Sequence, residues 1–478
     1  MISYKSIISI QAPLVFIERT EKIGYQELVQ IQDVNGITIQ GQVISLDKDV
    51  AVVQMFQNPA GFQIKDAEAV FSAETKKIAL SPTILGRIFD GSGEPIDGLD
   101  KIQGEYFNTN APAFWQSRSS LPLQYKDVNG QAINPYRRDE PNDFIQTGIS
   151  AIDLTTTIVK GQKIPIFSGS GLPDLELLTQ IATSAKTNNP EDKFVVVVAG
   201  MGITNDQFLY LKSELEKTNT LSRTVMFINL SSDPVVERIL TPRLALTASE
   251  YLAYELGYSV LTLLFDLTNY ANAMREVSTA KKEIPGRSGY PGYLYTDLAN
   301  LLERAGTIDG KKGSITQIPI LSMPNDDKTH VVPDLTGYIT EGQIVLNRTL
   351  FKQGITPPID IIASLSRLKD KGQGAGKTRK DHGAVADQIF ATLSESLRQQ
   401  ELALVLGVDS LTDTGKKYLE FNKQYNTRFL NQGRKARSII ETLELSWDLL
   451  SILPREELKK LKDDLIEEFG KGRIKLLK

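Results

Sequence analysis

Two stretches of this sequence have residue types and spacing that could grip a phosphate. The first is KGQGAGKT, residues 371–378, where a lysine and a threonine follow closely spaced glycines. A working phosphate loop is G-x-x-x-x-G-K-[ST], set directly after a buried strand and opening a helix. The strand aligns the loop, the helix N-terminus presents N–H groups, and the lysine neutralises phosphate charge. Here Lys371 stands where the first glycine is required, and the preceding SLSRLKD is polar. The stretch reads as a mobile, basic surface loop.

The second stretch lies two hundred residues upstream and has the right context. KIPIF is a strand, SGSGLP a turn containing Gly169 and Gly171, and DLELLTQIATSA a helix. Across this loop Ser168 takes the place of the first glycine and Pro173 that of the last, with Ser170 between the two glycines. Asp174 falls where lysine belongs and Leu175 where the magnesium-holding hydroxyl belongs. Two unit charges ~4 Å apart interact by ~4 kcal/mol at an effective dielectric near 20. Exchanging lysine for aspartate therefore moves a phosphate contact by roughly 8 kcal/mol, comparable to the whole free energy of micromolar binding. The loop keeps its shape and has lost its charge, so tight ATP binding is not expected. A strand, a turn and a helix also occur together without any ligand.

Composition narrows the remaining chemistry. At 478 residues the chain has room for two to four domains and a large core. A formal net charge of −4 offers no global attraction to nucleic acid or to an anionic membrane surface. Cysteine is absent, which excludes disulfides and thiol catalysis. The two histidines, His330 and His382, are too few for an ordinary zinc site, and no metal site is expected. The N-terminal twenty residues lack the apolar core of a signal peptide. No stretch approaches the ~18 uninterrupted apolar residues of a membrane span.

The elements that must position these loops fall into three regions. Residues 1–76 contain SIISI, ELVQIQ, ITIQGQVISL and VAVVQMF, separated by turn signals such as Asn35-Gly36. Such short, closely spaced strands predict a small closed β-barrel, with a β-sandwich as the alternative. Over 77–369, the strands KIPIF, FVVVVAG, TVMFINL and SVLTLLFD alternate with helical patterns, the α/β signature of a parallel sheet covered by helices. Residues 104–128 lack periodicity and read as a long surface loop. Over 370–478 apolar residues recur at helical spacing, predicting an all-α end in which Pro454 opens the last helix, PREELKKLKDDLIEEF.

Longer stretches carry a resemblance. FIQTGISAID (144–153), LTPRLALTASEYLAYE (240–255), DLTNYANAMREVSTAKKEIPGRSGYPGYLYTDLANLLERAG (266–306), DDKTHVVPDLTGYITEGQIVLNR (326–348) and PPIDIIASLSRLKDKGQGAGKT (357–378) closely resemble the B subunit of V-type and A-type rotary ATPases. GRIFDGSGEPIDG (86–98) is similar to that subunit's link between barrel and nucleotide-type domain. The resemblance covers nearly the whole chain and implies a multidomain fold: N-terminal β-barrel, central RecA-like α/β domain of P-loop type with a degenerate loop, and C-terminal helical bundle.

The same resemblance implies roles. Three B subunits would alternate with three catalytic A subunits in an A3B3 ring around central shaft subunits, with peripheral stalk subunits and only an indirect link to the membrane sector that moves protons or sodium. The chain would sit peripherally on the cytoplasmic side and bind no nucleic acid. It would hold no cofactor tightly alone, ATP or ADP and magnesium lying at the interface with A. A general base is expected in a Gly-Glu-Arg stretch of the catalytic relatives. Here AGMGITND puts Ile203 and Thr204 in the Glu-Arg positions, and isoleucine accepts no proton. Asp266 ends a hydrophobic strand like a Walker B aspartate. Arg367, in SLSRL, matches the arginine that B subunits project into the neighbour's nucleotide site. A planar, always-charged guanidinium suits developing phosphoryl charge. Ser364, Ser366 and Tyr338 are expected at the same interface. Two competing readings are a self-sufficient hexameric ATPase of the flagellar-export type and a purely structural spacer.

Overall fold

The N-terminal strands differ in burial: Glu27–Gln32 alternates buried and open positions, whereas Val50–Met55 is buried on both faces. Asp33 accepts hydrogen bonds from the N–H groups of Asn35 and Ile37, and Gly36 has φ of 83°. That turn folds Glu27–Gln32 back on Thr38–Leu46. Leu14–Glu18, Val50–Met55 and Glu68–Thr75 join this hairpin in a seven-stranded antiparallel sheet. Its inward residues, among them Val15, Ile17, Val29, Ile31, Val43, Val53 and Phe71, make one buried cluster, and the region is a β-barrel. The computed structural model describes residues 2–4, 7–11, 13–19, 23–56, 61–63, 65–102, 123–470 and 472–474.

The chain folds as two compact units, Met1–Asn134 with Val195–Arg304, and Pro135–Phe194 with Ala305–Lys478. Strands of the central α/β fold occur in both. In the first unit Thr224–Leu230 runs parallel to Ile88–Asp90 on one side and to Phe194–Ile203 on the other. Val195, Val196, Val197 and Val198 are all buried, as expected for a parallel strand covered on both faces. In the second unit Ile166–Gly169 lies parallel to both Ser314–Met323 and Gly342–Val345. The two-residue strand Leu365–Ser366 closes that edge antiparallel to Gly342–Val345.

The helical end consists of His382–Leu406, Asp413–Gln424, Ile439–Leu450 and Asp463–Phe469. Trp447 anchors it, fully buried, its indole N–H donating to Asp381 at 2.7 Å. Among the described residues no helix is long and apolar enough to cross a membrane.

Three sequence expectations are corrected. The irregular segment 104–128 is not loop throughout: 104–122 lie outside the described residues, but Gln124–Asp127 is a strand paired antiparallel with Lys77–Leu80. Its side chains are polar on both faces, so no apolar alternation announces it. Pro454 does not open the last helix. It precedes a 3-10 turn, Arg455–Glu457, and the helix proper starts at Asp463. Arg455 reaches over the interruption and donates to the carbonyls of Leu458 and Leu461, both at 3.0 Å. The third correction concerns KGQGAGKT, which is pinned rather than free. Gln373 Nε2 donates to Thr157 Oγ1 and to the Leu154 carbonyl, at 2.8 and 3.2 Å, and Gly372 is buried against Val159.

Candidate functional site

The degenerate loop leaves the buried strand Ile166–Gly169, turns at Gly171 with φ of 77°, and enters the helix Asp174–Ser184. Leu175, Leu177, Leu178, Ile181 and Ala182 hold that helix against the core, so the loop has the strand-turn-helix frame of a phosphate cradle. Three of its N–H donors are used internally. The Leu172 N–H bonds the Gly169 carbonyl, the Asp174 N–H bonds the Leu172 carbonyl, and the Leu175 N–H bonds the Asp174 carboxylate at 2.8 Å. Asp174, the first residue of the helix, thus brings a negative charge to the end that would otherwise face an anion and occupies the Leu175 N–H. Ser168 is fully buried, Ser170 and Gly171 are exposed, and Pro173 is half-buried. Asp174 and Leu175 stand where a magnesium-nucleotide loop has its lysine and its hydroxyl.

A pair that the sequence did not announce lies over this loop. Arg348 grips Asp326 through two bonds, Nε to Oδ2 at 2.6 Å and Nη2 to Oδ1 at 2.7 Å. The same Nη2 donates to the Ser170 carbonyl at 2.9 Å. Pairing with Arg348 holds the Asp326 carboxyl below the usual carboxylate range. Gly169 makes room for the pair: a Cβ there would come within 1.8 Å of Asp326 Oδ1.

The second cluster is at the sheet edge. Arg367 follows directly on the strand Leu365–Ser366, its N–H bonded to the Glu341 carbonyl at 2.9 Å. Its guanidinium is exposed and reaches the Thr340 carbonyl only at 3.5 Å. Among the described residues no carboxylate is paired with it. Glu341 is taken by Lys163, Nζ to Oε1 at 2.6 Å. Tyr338, 73 % exposed, stands on the helix Val331–Ile339 that leads into Thr340. Ser364 and Ser366 turn the other way. The Ser364 hydroxyl donates to the Asp360 carbonyl and accepts from the Val345 N–H, while Ser366 accepts from Gln162 Nε2 at 2.9 Å. Both are buried and hold the edge strand that presents Arg367.

Comparison with known proteins follows the same segments. Residues 148–366 match the nucleotide-binding domain of the ATP synthase alpha/beta family, 7–68 that family's beta-barrel domain, and 371–470 the C-terminal domain of V and A type ATP synthase. The chain is also similar to a solved structure of a unique ATP synthase subunit, NeqB, from Nanoarcheaum equitans. The two are 38% identical over 92% of this chain and 98% of that one, with a TM-score of 0.70. The chain belongs to the ATP synthase alpha/beta family. Within it, the C-terminal match marks a V/A-type subunit.

In this ATP synthase subunit Thr204 and Asp266 cap helices. Ile203 is buried, and Thr204 caps the helix Asn205–Lys217 in a capping box with Gln207. Asp266 caps Leu267–Ala280 by accepting from the Thr268 N–H at 2.8 Å.

Proposed function

We propose that this chain is the non-catalytic, regulatory B subunit of a V/A-type rotary ATPase. It alternates with the catalytic A subunit in an A3B3 ring and lends Arg367 to the nucleotide site of its neighbour. The exposed, carboxylate-free guanidinium of Arg367 at the end of an edge strand carries this reading. A cation left unneutralised at a surface is available to a phosphate, and its rigid fork matches phosphoryl oxygens. Ser364 and Ser366 act by fixing the strand, and Tyr338 flanks the arginine. ATP or ADP with magnesium is held by the A partner, while this chain's own loop keeps the frame of a nucleotide site without its cation. Closure around the nucleotide is passed through the helical end to the central shaft. ATP hydrolysis or synthesis is thereby coupled to proton or sodium movement in the membrane sector, peripheral stalk subunits holding the ring against rotation. The chain itself stays peripheral, on the cytoplasmic face. Self-sufficient catalysis is disfavoured by Asp174, Leu175 and Ile203, which replace the cation, the hydroxyl and the base.

Titration of labelled ATP tests this. The isolated chain is expected to show no saturable binding below millimolar nucleotide, and the chain joined to its A partner to bind in the micromolar range or tighter. Micromolar binding by the lone chain, abolished by changes in 168–175, would contradict it.

A further inference from the structure

Within the second unit a cleft of about 390 Å³ lies between residues 347–362 and the helical end, a size ordinary for small-molecule sites. Leu350, Ile359, Ile361, Leu393 and Leu430 form apolar walls, and Ile362 and Leu397, 40 % and 41 % exposed, mark its open side. Neither the loop 168–175 nor Arg367 contributes to it, and its lining has one carboxylate, Asp360, and no lysine, arginine or histidine. Tyr425 lines the same cleft and is 2 % exposed. Its ring is stacked between Phe421 and Phe429, with centroids 6.1 and 5.0 Å away, where the chain enters the π-helical turn Tyr425–Leu430. Such turns are rare and recur at functional sites. The stack fixes the ring, and its hydroxyl has no hydrogen-bond partner among the described residues. Asp360 acts on that hydroxyl electrostatically, but its oxygens are already bonded. Oδ1 accepts from the Ala363 N–H at 3.0 Å and Oδ2 from Asn347 Nδ2 at 2.9 Å. Asn422 is spent as well, donating to Ser396 Oγ and accepting from Asn426 Nδ2, both at 3.0 Å. Buried hydroxyls are ordinarily satisfied, so this one marks where a bound group would be met.

We propose that this cleft binds a neutral, ring-containing small molecule, held by its apolar walls and by a carbonyl oxygen that accepts from the Tyr425 hydroxyl. The site is separate from nucleotide chemistry and stands whether or not Arg367 serves a neighbour. Its lining selects the ligand class. The aliphatic walls favour an apolar body, and a single hydroxyl donor calls for a single acceptor. The Asp360 charge repels carboxylates and phosphates, and no lining cation offsets it. Nucleotides are therefore poor occupants, and an uncharged ketone is a good one.

The test titrates the isolated full chain with a fluorinated flavone, a neutral three-ring ketone, and with the matching flavan, which lacks the carbonyl. Fluorine NMR follows both probes. Wild type is expected to bind the flavone saturably, with Kd at or below about 100 μM. It should prefer the flavone to the flavan by roughly fivefold or more. Tyr425→Phe keeps the ring and its stack but loses the hydroxyl, so the two probes are expected to bind it equally. Leu397→Trp, on the open side, is expected to lose both. Absence of saturable flavone binding by wild type below about 1 mM overturns the proposal, and is the result expected if a side chain of another subunit fills the cleft instead. A flavone preference that survives Tyr425→Phe overturns it too, as does binding unchanged in Leu397→Trp. If Tyr425→Phe does not fold, the wild-type preference and its loss in Leu397→Trp decide the matter: both must appear, and failure of either overturns the proposal.

Discussion

His382 gives a prediction whose size follows from its surroundings. The ring is fully buried at the start of His382–Leu406, with both nitrogens hydrogen-bonded. Nε2 bonds the Leu154 carbonyl at 3.0 Å and Nδ1 faces Thr378 Oγ1 at 2.9 Å. Burial pushes its pKa down to about 4, against which the Leu154 carbonyl and Asp381 act more weakly, while Lys369 adds to the depression. Between pH 4 and 6.5 the unfolded chain therefore binds a proton here that the native chain does not. Stability must fall as pH drops through that window. With an ordinary value of 6.5, the loss is about 2 kcal/mol at pH 5 and levels off at about 3 kcal/mol below pH 4. Asp153, also fully buried, runs the other way. Burial raises it to about 7 against the hydrogen bonds from Thr147 and Gly148, so its protonation favours the native state on acidification. The His382 contribution is thus isolated only as a difference between wild type and His382→Gln. Urea unfolding at pH 7 and pH 5, followed by Trp447 fluorescence in a Trp115→Phe background, measures it. Wild type should lose about 2 kcal/mol more than the variant between the two pH values. Equal losses would refute the assignment of a buried, neutral imidazole.

Two further outcomes follow from the packing. Arg304 is fully buried and donates to both carboxylate oxygens of Glu250, at 2.6 and 2.8 Å, and to Thr247 Oγ1. Arg304→Met strands that carboxylate and is expected to cost about 3–5 kcal/mol in urea unfolding, while Arg304→Met/Glu250→Leu recovers more than half. Ser438 and Glu441 close a capping box at the start of Ile439–Leu450. Ser438→Ala should cost about 1 kcal/mol in thermal unfolding, and Ser438→Gly only a few tenths.

The parts of the fold legible in the sequence are those whose signal is local. FVVVVAG and TVMFINL lie within or coincide with the strands Phe194–Ile203 and Thr224–Leu230, because a strand buried on both faces must be apolar throughout. ELVQIQ matches Glu27–Gln32 through its alternation and the Asn-Gly turn that follows. Where tertiary bonds override local pattern, the sequence misleads. Gln124–Asp127 is stabilised by pairing with Lys77–Leu80, not by an apolar face. The final helix is broken because Leu458 and Leu461 are drawn into the core and Arg455 satisfies their carbonyls. KGQGAGKT is tied down by Gln373 to residues more than two hundred positions earlier. At the candidate site the missing charge at Asp174 was plain from one position. The Arg348–Asp326 pair was not, since its meaning depends on a turn and a loop brought together only by the folded sheet.

The central claim is that this subunit contributes to ATP chemistry through one cation presented to a neighbour. The most direct measurement is steady-state ATPase turnover of the reconstituted A3B3 complex carrying Arg367→Ala, with assembly checked by mass and ATP affinity measured alongside. The account predicts that turnover falls by roughly 10³-fold or more while the ring still assembles and still binds ATP. A complex with Arg367→Ala that turns over ATP at the wild-type rate would contradict it.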